Sequence, residues 1–116
     1  ARPLAVSQLL AAALQRQRLG IFREEDAVAV VESMLAELPE PAFVDPVLRA
    51  HPERRVRQAL RIMQRRGFLH RDGDTYRQGE VRHDPRFPDV DDIIAYQARF
   101  HDETVAALRE LGARGA

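Results

Sequence analysis

A mainly α-helical domain with one small β-hairpin is the fold class that this sequence predicts. Three observations predict it. Apolar residues recur at three- and four-residue steps along several long stretches, the spacing of one buried helical face. One short segment, Phe68 to Gln78, has extended-chain residues on either side of Asp72-Gly73. Glycines and prolines fall between these stretches and punctuate them. The 116 residues suit a single domain spanning 1–116, and a 45% apolar share is enough for one packed core. That core is expected within about residues 24–79, with helices added at both ends.

The elements follow in order. Residues 4–18 predict a first helix, with Leu4, Leu9, Leu10, Ala13 and Leu14 near helical spacing and Gly20 stopping it. Ile21-Phe22 reads as a short extended link. Residues 24–38 predict a second helix. Glu24, Glu25 and Asp26 favour its positive N-terminal end. Val28, Val31, Met34, Leu35 and Leu38 form its apolar stripe, and Pro39 and Pro41 end it. Residues 43–50 predict a short third helix, with Asp45 as cap and Pro46 at the first helical position. Ala50-His51-Pro52 breaks the chain, and a fourth helix runs from Pro52-Glu53 to about Arg66, where Gly67 ends it. Phe68–Arg71 and Thr75–Gln78 are the hairpin strands, with the glycine of the loop Asp72-Gly73-Asp74 supplying the tight turn. Residues 79–90 form a loop. Residues 91–111 form a long last helix with Ile94, Ala98, His101, Val105 and Leu108 on one stripe, and the tail from Gly112 is expected to fray.

Charge is balanced in total and uneven in place. All eighteen basic residues are arginine, which fits a bias of base composition, since alanine is abundant too. Residues 49–66 hold seven arginines against one acid, whereas 1–48 and 84–116 each hold four arginines against seven acids. One concentrated basic segment therefore sits between two acidic ones. A zero total argues against strong non-specific nucleic-acid binding, while a local patch permits specific binding. The acidic flanks can also neutralise that patch within one chain or across a dimer.

The basic segment is the most informative part. In the fourth helix Val56, Leu60 and Met63 share the apolar side, with Ala59 and Ile62 beside it. Arg57, Arg61 and Arg65, spaced four apart, line an outward ridge that Arg54 joins one turn earlier. A groove-reading helix needs this division, because long polar donors must reach phosphates and base edges while the opposite side packs. Gln58 and Gln64 add donors and acceptors. Arg71 and Arg77 on the hairpin can reach the backbone beside the helix.

The segment Val56 to Arg77 resembles the recognition helix and wing of winged-helix transcriptional regulators. The resemblance rests on Val56, Leu60 and Met63, then Arg66-Gly67-Phe68-Leu69, Asp72-Gly73 and Tyr76-Arg77. It covers about twenty-five residues, and about forty if 43–50 is the preceding helix. It implies a winged helix with extra N- and C-terminal helices. It also implies duplex DNA as partner, with Arg54, Arg57, Arg61, Arg65, Arg71 and Arg77 as contact residues and Tyr76 packed beneath the wing. Pro52 in the turn and the acidic wing tip depart from the usual pattern. The alternative partner is an acidic protein, with the domain serving as an adaptor in a larger assembly.

Other chemistry finds little support. Without cysteine there are no disulfides, thiol nucleophiles or Cys-based metal sites. His51, His70, His83 and His101 show no i, i+4 pairing, so no metal is expected. The run Asp89-Val90-Asp91-Asp92 lacks the glycine and closing glutamate of a calcium loop, and Asp91 and Asp92 read as caps of the last helix. No nucleophile motif or phosphate-binding glycine loop occurs, so neither enzymatic activity nor a cofactor is expected. No run of about eighteen apolar residues occurs, and Leu9–Leu14 is followed by glutamines and arginines rather than a cleavage site. A cytoplasmic protein without membrane contact is the expectation. A homodimer through 4–18 or 91–111 is expected too, because a chain of this size buries only part of five helical stripes.

Overall fold

A computed structural model describes residues 3–40 and 42–115. Pro41, one of the two prolines expected to end the second helix, lies outside the described residues. The chain forms five helices and a three-stranded antiparallel sheet among these residues: α1 (Val6–Gln15), β1 (Phe22–Arg23), α2 (Glu24–Glu37), α3 (Pro46–Ala50), α4 (Pro52–Arg65), β2 (Leu69–Asp72), β3 (Thr75–Gln78) and α5 (Ile93–Gly115). None of the described helices is long and apolar enough to cross a membrane.

Helix α1 is the centre of the molecule. Six consecutive residues, Leu9 to Leu14, are buried, so it has no solvent face over nearly two turns. It packs along α5 and also meets α2 and α4. It starts later than the periodicity predicts. Leu4 is instead held extended in a bridge to Val44, with Leu4 N donating to Phe43 O and Asp45 N donating to Leu4 O. It also ends earlier, and Gly20 is not what stops it. Gln17 takes the left-handed conformation at φ 57°, while Arg18 N donates back to Ala13 O and Gln17 N to Leu14 O. This is the hydrogen-bond pattern of a helix C-terminus that normally uses glycine at that position. Gln17→Gly is therefore expected to stabilise the fold by about 1 kcal/mol, read as a higher urea midpoint at unchanged slope. A lower midpoint would show that the left-handed residue is not under strain.

Beyond this turn Arg18 donates two hydrogen bonds to the Glu37 carboxylate at the end of α2, both 3.3 Å. The Arg18 guanidinium holds Glu37 below its ordinary carboxylate pKa. The pair adds stability above the unfolded carboxylate pKa and loses it as pH falls through the lowered folded value. Both side chains reach solvent, so the contribution is small.

Helix α2 begins as its acids predict. Asp26 Oδ2 accepts from Arg23 N at 2.9 Å. It buries Ala27, Val31 and Met34. Leu38 is extended, at ψ 133°, as the residue before a proline must be. Helix α3 is shorter than the predicted 43–50, and its cap is as predicted: Asp45 Oδ1 accepts from Val47 N at 3.0 Å. A single residue, His51, separates α3 from α4.

The short link at Ile21-Phe22 is more than a link. Phe22 and Arg23 pair with Tyr76 and Thr75, giving a sheet of order β1-β3-β2. The Phe22 ring stacks on Tyr76, with centroids 5.7 Å apart. Two residues carry no readable strand period, so only this contact, more than fifty residues away in sequence, makes them a strand.

The junction between α4 and the hairpin is unusually tight. Gly67 stands at φ 81°, and Phe68 N donates to Met63 O. Gly79, where the hairpin leaves, donates to Phe68 O and presses against the same turn. A Cβ on Gly79 would lie 2.1 Å from Gly67 O, and one on Gly67 would lie 2.8 Å from Val81 Cγ2.

Helix α5 is capped by Asp92, whose Oδ1 accepts from Ala95 N at 3.0 Å. It continues as helix to Gly115, past the predicted end at 111. Its buried residues, Ile93, Ile94, Ala98 and His101, all lie in its first half. His101, predicted for the buried stripe, is 4% exposed, with Nδ1 3.0 Å from Asp102 Oδ1.

Candidate nucleic-acid interface

The division of α4 into two sides follows from its sequence. Val56, Ala59, Leu60 and Met63 are buried against α2, α3 and α1. At about 3.6 residues per turn, Arg54, Gln58, Arg61 and Arg65 share the opposite, outermost side, and all four are exposed. Arg57 and Gln64 lie on the flank toward the start of α2 and the hairpin. Arg55, Ile62 and Arg66 lie on the other flank.

These three groups of arginines differ in their partners. Arg57 Nε sits 3.2 Å from Glu24 Oε1 at the first turn of α2. Arg55 Nε sits 3.2 Å from Asp45 Oδ2, and its Nη1 donates to Gln58 Oε1 at 2.8 Å. Arg66 Nη1 lies 3.6 Å from Asp84 Oδ2. Arg54, Arg61 and Arg65 have no ion pair among the described residues. The flank arginines thus tie α4 to the rest of the chain, and the outermost three carry uncompensated charge.

The hairpin borders this helix. Gln64, His70, Arg71 and Arg77 line a shallow concavity of about 530 Å³ between the end of α4 and the strands, with Glu80 at its edge. The register pairs His70 with Arg77 and Arg71 with Tyr76. Arg77 is exposed and makes no ion pair among the described residues. Arg71 is turned along the hairpin: its Nε donates to Gly73 O at 2.8 Å, and its guanidinium stands 5.7 Å from the Tyr76 ring centroid. Tyr76 itself is buried beneath the strands. At the acidic tip, Asp74 lies 3.6 Å from Arg23 Nε, which offsets part of its charge.

The loop from 80 to 92 does not enclose the ridge. Asp84, 3% exposed, accepts from Arg86 N, Nε and Nη2, and it faces Arg66 on the far flank of α4. In the sequence Asp84 is an unremarked residue of the loop 79–90. The local part was readable, because an aspartate two residues before a donor favours an Asx turn. Burial beside Arg66 was not.

Among the described residues no group of three His, Asp or Glu side chains is placed to hold a metal ion. His83 Nδ1 lies 3.3 Å from Val90 O, and His51 Nδ1 lies 4.0 Å from Glu53 Oε1. Comparison with protein-family models, with curated proteins and with solved structures returned no match.

Proposed function

We infer that this chain binds duplex DNA through α4 and the β2–β3 hairpin, as a winged-helix regulator of transcription with no enzymatic step of its own. The observation that carries the reading is the outward side of α4. Arg54, Arg61 and Arg65 stand exposed on it without carboxylate partners among the described residues, and Arg77 stands on the hairpin beside it. A short helix, a one-residue break, a longer helix and a hairpin also follow the order of a helix-turn-helix with a wing. Guanidinium forks on that ridge suit phosphate oxygens and guanine edges. Such a role places the chain in the cytoplasm, without membrane contact.

Fluorescence anisotropy against a mixed pool of duplex DNA tests this at about 50 and 200 mM salt. The expected result is binding that weakens steeply with salt, by about 0.9 log units per contacted phosphate per log unit of salt. No binding at the lower salt overturns it and leaves an acidic protein surface as the counterpart of the ridge.

The same reading includes a homodimer. Beyond His101, α5 has no buried residue among those described, and Val105 and Leu108 continue its apolar stripe, with Leu111, 58% exposed, beside it. Two copies joined there would present two basic helices to one duplex. Sedimentation at tens of micromolar is expected to give a dimer for the wild type and a monomer for Leu108→Glu/Leu111→Glu. A monomeric wild type removes the dimer and leaves the DNA reading standing.

A further inference from the structure

Behind the basic ridge, on the opposite flank of α4, the molecule contains a small hole with an apolar part and with charged side chains in its lining. The hole is about 100 Å³ and is lined by Ala11 of α1, Met63 and Phe68 around the end of α4, and Ile93 and Ile94 of α5, with the polar side chains of Asp84 and Gln97 beside them. Ser7, Ile62, Arg66 and Arg86 border both this hole and a shallower groove of about 300 Å³ outside it. We propose that this site binds a small free monocarboxylate with a short unbranched hydrocarbon tail, its head on Arg66 and its tail in the hole.

The charge at the mouth argues for a single anionic head. Arg66 and Arg86 share one carboxylate, Asp84. Arg86 takes both oxygens of Asp84, with hydrogen bonds of 2.7–3.2 Å. Arg66 comes no closer than 3.6 Å and makes no side-chain hydrogen bond among the described residues. Its guanidinium therefore has a full set of donors at the rim of an apolar hole, and a planar carboxylate matches that fork. The charge of the other arginine of the groove, Arg55, is offset by Asp45 at 3.2 Å, although its buried Nε makes no hydrogen bond. One positive charge is left over, and a monoanion neutralises it.

The wall argues for the tail. Ala11, Met63, Phe68, Ile93 and Ile94 form the apolar part of the lining, and a hydrocarbon tail packed against them leaves water. Volume limits its length. At roughly 30 Å³ for a water-sized group, the hole holds about three or four methylenes. Ile62, 37% exposed at the mouth, would cover the part of the chain nearest the head.

The chain has two methionines, Met34 and Met63, which makes the test direct. Met63 lines the hole, whereas Met34 is buried on α2 away from it. Methyl-labelled methionine gives two NMR signals, one reporting the site and one reporting that the fold is intact. Titrating wild type with butanoate, pentanoate and hexanoate is expected to move the Met63 signal and leave Met34 in place. Affinity should rise roughly fourfold per methylene, the equivalent of about 0.8 kcal/mol, and level off once the hole is full. Hexylamine, with the same tail and the opposite charge, should leave Met63 unmoved at equal concentration. Arg66→Gln, a partly exposed position, should keep the Met34 signal and weaken hexanoate at least about tenfold. A Met63 signal that stays still with hexanoate at millimolar concentration overturns the proposal. An equal response to hexylamine, or unchanged affinity in Arg66→Gln, overturns it as well.

Discussion

Gly79→Ala is expected to cost about 3 kcal/mol and to lower Tm by roughly 10 °C. A methyl group at this position would sit 2.1 Å from the carbonyl oxygen of Gly67. That atom cannot swing away as a long side chain would, since it is backbone in the turn that ends α4. Moving it would disturb Gly67, which is held at φ 81° and has Val81 against its own Cα. It would also loosen the hydrogen bond from Gly79 N to Phe68 O, 2.8 Å, which closes the base of the hairpin. The change therefore overpacks a site where three backbone segments meet. Gly112→Ala is the control, because nothing lies within 4 Å of a Cβ there and the residue is helical. It should stabilise by about 0.5–1 kcal/mol. Thermal melts of both variants decide the matter. A Gly79→Ala protein that melts with the wild type would show that the junction can relax.

Arg61→Ala/Arg65→Ala is expected to weaken duplex DNA binding at least about a hundredfold, since each charge-assisted hydrogen bond is worth about 1.5–3 kcal/mol. The log–log dependence on salt should become shallower by about two. Stability should be unaffected, because neither side chain has an ion pair among the described residues and both are exposed. Arg57→Ala should weaken binding less cleanly, because it also removes the tie to Glu24. Arg99→Ala/Arg109→Ala removes the same charge from exposed positions on α5. If that pair reduced affinity as much as the ridge pair, net charge and not the face of α4 would govern binding. The competing partner, an acidic protein surface, would give a ridge-dependent pull-down with no binding to DNA.

The sequence by itself determined what is local. The caps by Asp45 and Asp92, the stop at Gly67, the turn at Asp72-Gly73 and the two-sided pattern of α4 each depend on residues within about four positions of one another. Periodicity alone separated the buried Val56, Leu60 and Met63 from the exposed arginines. Tertiary structure decided the rest, for a common reason: the partners lie far apart in the chain. Phe22 is a strand residue because Tyr76 is beside it. Gln17 ends α1 without any glycine signal, and α5 stays helical through Gly112. Asp84, one acid among several in a loop, is buried because Arg66 and Arg86 converge on it. The same distinction separates the arginines. Seven of them crowd residues 49–66 with nothing in sequence to rank them. Only packing shows that Arg55 and Arg57 are engaged by Asp45 and Glu24 and that Arg66 shares Asp84 with Arg86, leaving Arg49, Arg54, Arg61 and Arg65 exposed without a carboxylate among the described residues. A charge is available to a partner only if the fold has not already neutralised it, and that depends on contacts between elements that no local pattern encodes.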